Sequence, residues 1–314
     1  MIEIKSLTKV FGDKVAVDNL NFTIGGGTIV GFLGPNGAGK STTMNILTGY
    51  LSATSGSATI NGADIFEEPR RAKQNIGFLP EQPPLYIDMT VMEYLKFVYN
   101  LKGATLPRRE HLDEICEMTG ISHVKKRLIK NLSKGYRQRV GIAQALVGYP
   151  NFLIFDEPTV GLDPNQIVEI RQLIKSLGRK HTVILSTHIL SEVQAVCDRV
   201  IIINNGKIVA DSPTETLLTD TAGVVKYRVK LAGREKGQIA KLLGSIEGIT
   251  SVVAADSSEE GIAEFIIDTN PQIEVRPILF RALAECGIVM MGLENVSLTL
   301  EDIFASLTLG KERK

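Results

Sequence analysis

Apolar and polar residues alternate in short blocks over the first 80 positions. IEIKSL, NFTI, IVGFLG, SATI and NIGFLP are strand-length and separated by Gly and Asn, which predicts strands there. Residues 41–50, after IVGFLG, predict a helix. From Thr90 to about Gly148 the spacing turns helical. Thr90 and Glu93 form a T-x-x-E capping box ahead of VMEYLKFVYNL. Pro107 suits the first turn of PRREHLDEICEMTG, and HVKKRLIKNLS continues the helical stretch. Another helix is entered at LSKGYRQRV, residues 132–140, where Val140, Ala143 and Val147 share one face. Strands return with NFLIFDE, TVILSTH and RVIIINNGKIVA, and NQIVEIRQLIKSL is a helix between the first two. Alternating strands and helices predict an α/β domain with a mainly parallel sheet.

After Asp220 the rhythm changes. KYRVKL, KGQIAKLLGSI, ITSVVAAD, AEFIIDT, EVRPILFRALAEC and IVMMGLENV read in the order βαββαβ, with an acidic SSEEG turn between the third and fourth blocks. That order suggests a small α+β, ferredoxin-like accessory domain, followed by a last helix, LEDIFASLT. The expected boundaries are 1–220 and 221–314, with a helical subdomain at about 83–149. The second domain carries no Gly-rich loop, His pair or carboxylate cluster, so packing or dimer contact is its expected role.

Composition narrows the field. The 314 residues carry 35 basic and 35 acidic side chains. The segment from Thr221 onward holds 11 basic against 13 acidic residues, so neither part has the basic excess of a dedicated nucleic-acid binder. No apolar run approaches the roughly 18 residues needed to cross a bilayer. The start, MIEIKSLTKVF, alternates and carries charge, unlike a signal peptide. Cys116, Cys197 and Cys286 lack metal spacing and read as reduced, core-packing thiols.

Two stretches carry chemistry. GPNGAGKST, from Gly34 through Pro35, Asn36, Gly37, Ala38, Gly39, Lys40 and Ser41 to Thr42, fits G-x-x-x-x-G-K-[ST] between an apolar strand and a helix. Glycines let backbone N–H groups converge on phosphate oxygens, which a Cβ would obstruct. Lys40 supplies a point charge to the phosphates and Ser41 a hydroxyl to magnesium. FLIFDE, residues 152–157, is a buried strand with two carboxylates at its C-terminal end, where ligands of open α/β sheets bind. Asp156 suits the magnesium shell and Glu157 the attacking water. A buried ion pair is the alternative, which two adjacent carboxylates without an obvious partner make less attractive. LSKGYRQRV is a second anion-holding helix N-terminus, and one chain has no evident need of two.

The phosphate loop, LSKGYRQ, FDEP, GLDP and STH, in this order over residues 1–215, resemble the ATP-binding cassette (ABC) ATPases. LSKGYRQRVGIAQAL, GLDPNQ and TLEDIFASLT carry a narrower likeness to ATPase subunits of type-two exporters, the gliding-motility-type group in particular. The resemblance implies a P-loop NTPase fold in residues 1–220, ATP and magnesium as cofactors, and hydrolysis of ATP. It implies a second ATPase subunit, as a homodimer, whose Ser133 and Gly135 reach the nucleotide on the first. That answers why there are two anion sites. It implies separate transmembrane permease subunits, and hence a peripheral location on the cytoplasmic face of the membrane.

Other positions follow from the resemblance one by one. Phe11 either stacks on adenine or ends a strand in the core. Asp163 links the two ATP sites, caps the next helix, or does both. His188, at the end of a strand, hydrogen-bonds the γ-phosphate. The family usually has Gln where this chain has Glu81, followed by Gln82; either could complete the magnesium and water shell. PPLYIDM, with Tyr86 and Met89, is either a permease-docking surface or a buried loop. His111, His123 and His181 lack such context and are expected at the surface. A soluble cassette acting on ribosomes, DNA or cofactor assembly is the rival reading, opposed by the single phosphate loop and the lack of extended heptads. A transporter ATPase restrained by its C-terminal domain is a third.

Overall fold

In the computed structural model the chain divides into two compact units, Met1–Thr214 and Glu215–Lys314. Residues 1–216, 225–255, 259 and 261–296 are described. In the first unit, β1 (Ile2–Phe11) and β2 (Lys14–Ile24) form a hairpin. Gly12 turns it at φ 56°, a value glycine takes without strain. Together with β4 (Ser55–Ile60) and β5 (Ala63–Asp64) they make an antiparallel sheet ordered β2-β1-β4-β5.

A second sheet has six strands, ordered β10-β9-β3-β8-β7-β6. These are β3 (Ile29–Leu33), β6 (Ile76–Leu79), β7 (Phe152–Asp156), β8 (Thr182–Thr187), β9 (Arg199–Asn204) and β10 (Lys207–Pro213). All neighbours are parallel except β9 and β10. Every residue of β3, β7 and β8 is buried, which is why their centres, IVGFL, FLIF and VIL, read as apolar runs rather than alternation. RVIIINNGKIVA is two strands, not one. Asn205 and Gly206, both at positive φ (48° and 77°), make the two-residue turn that an Asn-Gly pair favours.

Helices α1 (Lys40–Leu47), α2 (Pro69–Lys73), α6 (Pro164–Leu177) and α7 (Leu190–Val196) accompany these sheets. The helical segment holds α3 (Val91–Leu101), α4 (Arg108–Met118) and α5 (Lys134–Leu146). The capping box at α3 is present: Thr90 Oγ1 accepts the Glu93 N–H at 3.3 Å, and Glu93 accepts the Thr90 N–H at 2.8 Å. Pro107 stands at the N-cap of α4, one place before its first turn. HVKKRLIKNLS is not an α-helix. It belongs to two 3-10 turns, Ser122–Val124 and Ile129–Asn131, joined by a turn at 125–126 and by Leu128, which bridges to Thr90, because its N–H groups are taken by the preceding loop, as in Ile129 N–H to Met89 O at 3.0 Å.

Two histidines expected at the surface lie inside. His111 is 3% and His181 6% exposed. His111 Nε2 accepts the Gly148 N–H at 2.9 Å, and His181 Nδ1 is 2.7 Å from the Pro150 carbonyl. A hydrogen-bond partner lowers the cost of burying a polar ring nitrogen. His123 is exposed and meets the Tyr136 hydroxyl at 3.0 Å. Cys116 and Cys197 are buried and free, and Cys286 packs on the second unit's core.

The second unit contains β11 (Val225–Ala232), α8 (Lys236–Ser245), β12 (Ile249–Ala255), β13 (Ile262–Thr269), α9 (Val275–Glu285) and β14 (Val289–Val296). Its sheet runs β12-β13-β11-β14, with all neighbours antiparallel. Val229, Leu231, Phe265 and Ile267 bury one face against Ile239, Leu243, Leu279 and Leu283 of the two helices. The expected helix LEDIFASLT lies outside the described residues, as does part of the SSEEG turn.

Replacing Thr90 by Ala removes the N-cap and is expected to cost about 1 kcal/mol, read by urea denaturation. Hydrogen bonds from Thr90 hold the Glu93 carboxyl below its ordinary 4.5. A carboxyl depressed by folding contributes fully above that value, and the contribution is lost as pH falls through the folded one. The stability gap between the wild type and Glu93→Gln therefore narrows on acidification; a constant gap would refute the box.

Candidate functional site

Strand β3 ends at Leu33, and the chain turns at once into the loop that opens α1. Two glycines are compulsory in that loop. A Cβ on Gly34 would stand 2.4 Å from the Ile203 carbonyl oxygen of β9. Gly39 sits at φ 109°, where a Cβ would meet the Ala16 oxygen at 2.6 Å. Gly39 is also the N-cap of α1 and offers no side chain to its first N–H groups. The helix therefore presents orphan donors at its positive end, which is the physical definition of an anion site.

Lys40 is only 5% exposed. Its ammonium donates to the Gly34 and Pro35 carbonyls at 2.7 and 3.2 Å and lies 3.7 Å from Glu157 Oε1. Burial lowers its pKa, and the Glu157 and Asp156 carboxylates partly offset that. It faces a cavity of about 490 Å³, within the usual range for ligand pockets. Asn36, Gly37, Gly39, Lys40, Ser41 and Thr42 line it from the loop and α1; Glu81, Glu157 and His188 line the far side. Phe11 stands on the rim, 48% exposed, with the Lys9 ammonium 5.1 Å from its ring centre. The core-residue alternative for Phe11 is thereby excluded. Gly34, Pro35 and Ala38 shape the loop from behind: Ala38 is buried, and its carbonyl accepts the Gly206 N–H at 2.9 Å.

The carboxylates differ from expectation. Glu157 has partners: His188 Nδ1 lies 2.9 and 3.0 Å from its two oxygens, and Lys40 is the third member. Glu157 also holds φ at 48°, a strained value for a residue with a Cβ. Asp156 is the one without a full set. Its Oδ1 is buried and unbonded, as is Ser186 Oγ on the neighbouring strand, and these two residues are register partners. An unsatisfied buried carboxylate oxygen is costly unless a cation completes it.

Of the pair after β6, Glu81 lines the cavity and Gln82 does not; Gln82 faces two neighbouring grooves instead. Ser133, Gly135 and Asp163 are not in the cavity of their own chain. Ser133 caps α5, accepting the Tyr136 N–H at 3.4 Å, and Asp163 caps α6, accepting the Gln166 N–H at 3.0 Å. Gly135 is pressed against Gln166, where a Cβ would come within 2.7 Å, so the two helix starts abut. Lys14, Ala16 and Val160 also line the cavity. No motif marks them. Pairing of Phe11 with Lys14 across the first hairpin was the only available signal.

The loop PPLYIDM is not buried. Tyr86 is 54% exposed and Ile87 is exposed as well, and the Tyr86 ring meets Phe97 edge-on at 5.2 Å. Beside it a groove of about 700 Å³ is lined by Tyr50, Phe78, Pro84 and Gln144 among others.

Comparison with known proteins agrees with this geometry. The ABC transporter family profile matches residues 17–160. The linearmycin resistance ATP-binding protein LnrL of Bacillus subtilis (strain 168) is 31% identical over 310 residues, 98% of both chains. The bacitracin transport ATP-binding protein BcrA of Bacillus licheniformis is 41% identical over 219 residues, 69% of this chain and 71% of that one. Among solved structures, a dimeric bacterial ABC transporter cassette superposes with TM-score 0.62 at 29% identity, covering 68% of this chain and 98% of that one.

Gly39→Ala forces a Cβ into a left-handed position beside the Ala16 carbonyl, with a strain of about 1–3 kcal/mol. It is expected to lower the thermal unfolding midpoint and to weaken inorganic tripolyphosphate binding measured by calorimetry. Unchanged values in both would remove the steric account of the loop.

Proposed function

Because this chain belongs to the ABC transporter family of ATP-binding proteins, we propose that its cavity binds MgATP and completes its hydrolytic centre with residues of a second subunit. The chain is the ATP-binding and hydrolysing subunit of a transporter related to the exporter ATPases, and the membrane permease is a separate chain. No helix among the described residues is long and apolar enough to cross a membrane. We place the subunit on the cytoplasmic face of the membrane, against that permease.

The observation that carries the site assignment is the Lys40–Glu157–His188 arrangement at the mouth of the phosphate loop. Lys40 exchanges its two loop carbonyls for β- and γ-phosphate oxygens, and the N–H groups opening α1 hold the rest of the phosphate chain. Phe11 offers a free aromatic face at the rim for adenine. Ser41, Glu81 and the unbonded Oδ1 of Asp156 are hard oxygen donors of the kind magnesium takes, and the buried, unsatisfied Asp156 oxygen fits a cation. Magnesium held by these donors would supply positive charge that offsets the charge of the phosphates. Glu157 orients and deprotonates the attacking water, and His188 holds both that carboxylate and the γ-phosphate. Ser133 and Gly135 of a second copy supply the hydroxyl and backbone N–H that this chain does not bring to its own cavity, and Asp163 sits between the two centres. Glu81, not Gln82, completes the magnesium and water shell.

Tyr86 and the adjoining groove offer an exposed aromatic surface for a cytoplasmic helix of the permease. Residues 225–296 have the βαββαβ order and the 2-3-1-4 strand arrangement of a ferredoxin-like module. We assign them to an accessory domain that joins the dimer or restrains it.

Lys40→Ala and Ser133→Arg variants should each hydrolyse ATP at a small fraction of the wild-type rate. Mixed together they should recover activity, since one heterodimer site draws Lys40 and Ser133 from intact copies. No recovery, or full activity in a strictly monomeric preparation, would defeat the shared-site reading. Glu157→Gln should retain ATP and accumulate as a dimer by light scattering without turnover; wild-type turnover would overturn its role.

A further inference from the structure

Glu192 lies four residues beyond His188, in α7, and is 1% exposed. A carboxylate this deep is tolerable only if its lone pairs are filled and its charge is opposed. Thr187 Oγ1 donates to Oε2 at 2.8 Å, Thr159 Oγ1 donates to Oε1, and the Arg171 guanidinium of α6 lies 3.9 Å from Oε1. The two threonines have telling neighbours. Thr187 immediately precedes His188, and Thr159 follows Glu157 by two residues. Thr187 Oγ1 also accepts the Ile189 N–H at 3.0 Å, closing a tight loop around His188.

We infer that Glu192 is a positioning residue for ATP hydrolysis: by clamping Thr159 and Thr187 it sets the separation of Glu157 and His188. The inference rests on the roles assigned above to that pair. Glu192 does not line the cavity; its bridge runs alongside the direct contact between His188 and Glu157.

The chemistry requires a carboxylate. With its oxygen already accepting the Ile189 N–H, Thr187 sends its hydrogen to Glu192, and Thr159 does the same from the other side. A carboxylate accepts at both oxygens, whereas a carboxamide accepts at one end and donates at the other. Glu192→Gln keeps the shape but turns an N–H₂ toward one threonine, so that hydroxyl must rotate and lose its acceptor. The segment carrying Glu157 or His188 then shifts. Displacements of about 1 Å remote from the reacting atoms can cost about 10²-fold in rate. The loop after β3, which carries most of the phosphate contacts assigned above, receives none of these three contacts.

The test is steady-state ATPase kinetics of full-length Glu192→Gln, Thr187→Val, their double variant and Thr187→Ser, beside wild type and Glu157→Gln. Glu192→Gln is expected to lose about 10- to 100-fold in kcat while the KM for ATP moves less than about twofold and the unfolding midpoint stays near wild type. Thr187→Val should lose a similar factor, the double variant no more than the worse single, and Thr187→Ser should retain turnover. Wild-type kcat in Glu192→Gln, additive losses, or a kcat loss matched by lost ATP binding would overturn the inference. If Glu192→Gln does not fold, Thr159→Val and Thr187→Val carry the same cycle, and additive or absent losses count against the clamp. Inactive wild type, or an active Glu157→Gln, would take down the site reading and this inference with it. An active wild type, a dead Glu157→Gln and an unaffected Glu192→Gln would sink this inference alone.

Discussion

A lysine ammonium buried at the end of a parallel sheet must be surrounded by acceptors, and at Lys40 the surrounding groups are those that chemistry there would use. Two of its acceptors are carbonyls of its own loop, and the nearby negative charge is Glu157. Glu157 is shared in turn with His188. Desolvation weakens the charged form of Lys40, and the carboxylates restore part of that loss. In the MgATP complex proposed above, a triphosphate would bring more negative charge to Lys40 than either carbonyl, and Glu157 would stay with His188.

That arrangement exists because parallel strands end level. Leu33 pairs with Thr187, Asp156 with Ser186 and Leu79 with Phe155. The residues just past those ends are the phosphate loop, His188, Glu157 and Glu81. Four chain segments distant in sequence therefore deliver their functional groups to one edge. The antiparallel sheet adds Phe11 and Lys14 through a single hairpin. Strain at Glu157, with φ 48°, is held by its N–H bond to the Ser186 carbonyl at 2.9 Å.

Much of this was legible beforehand. Gly34 to Thr42 could be read because steric need and charge lie within nine adjacent residues. The capping box at Thr90 and Glu93 is equally local, and so are the buried runs of β3 and β7. Misreadings arose where distant parts intervene. HVKKRLIKNLS has helical spacing, yet Met89 and Ile87 capture the Ile129 and Lys130 N–H groups. His111 and His181 look like surface residues until Gly148 and Pro150 arrive to pair with one ring nitrogen of each. Glu157 looked unpartnered because its partners come from two other strand ends. Glu81 and Gln82 are adjacent, and only the path of the chain after β6 turns one of them into the cavity.

The sequence alone determined most of the elements, the capping box at Thr90, the phosphate loop and the family resemblance, since periodicity, glycine freedom and charge spacing act over a few residues. Tertiary structure decided which carboxylate meets the buried lysine, which loop stays exposed, and that Ser133, Gly135 and Asp163 lie away from their own chain's cavity. Those outcomes depend on strand order and on burial between segments far apart. Both are set by the summed packing of the whole sheet, which no local pattern encodes.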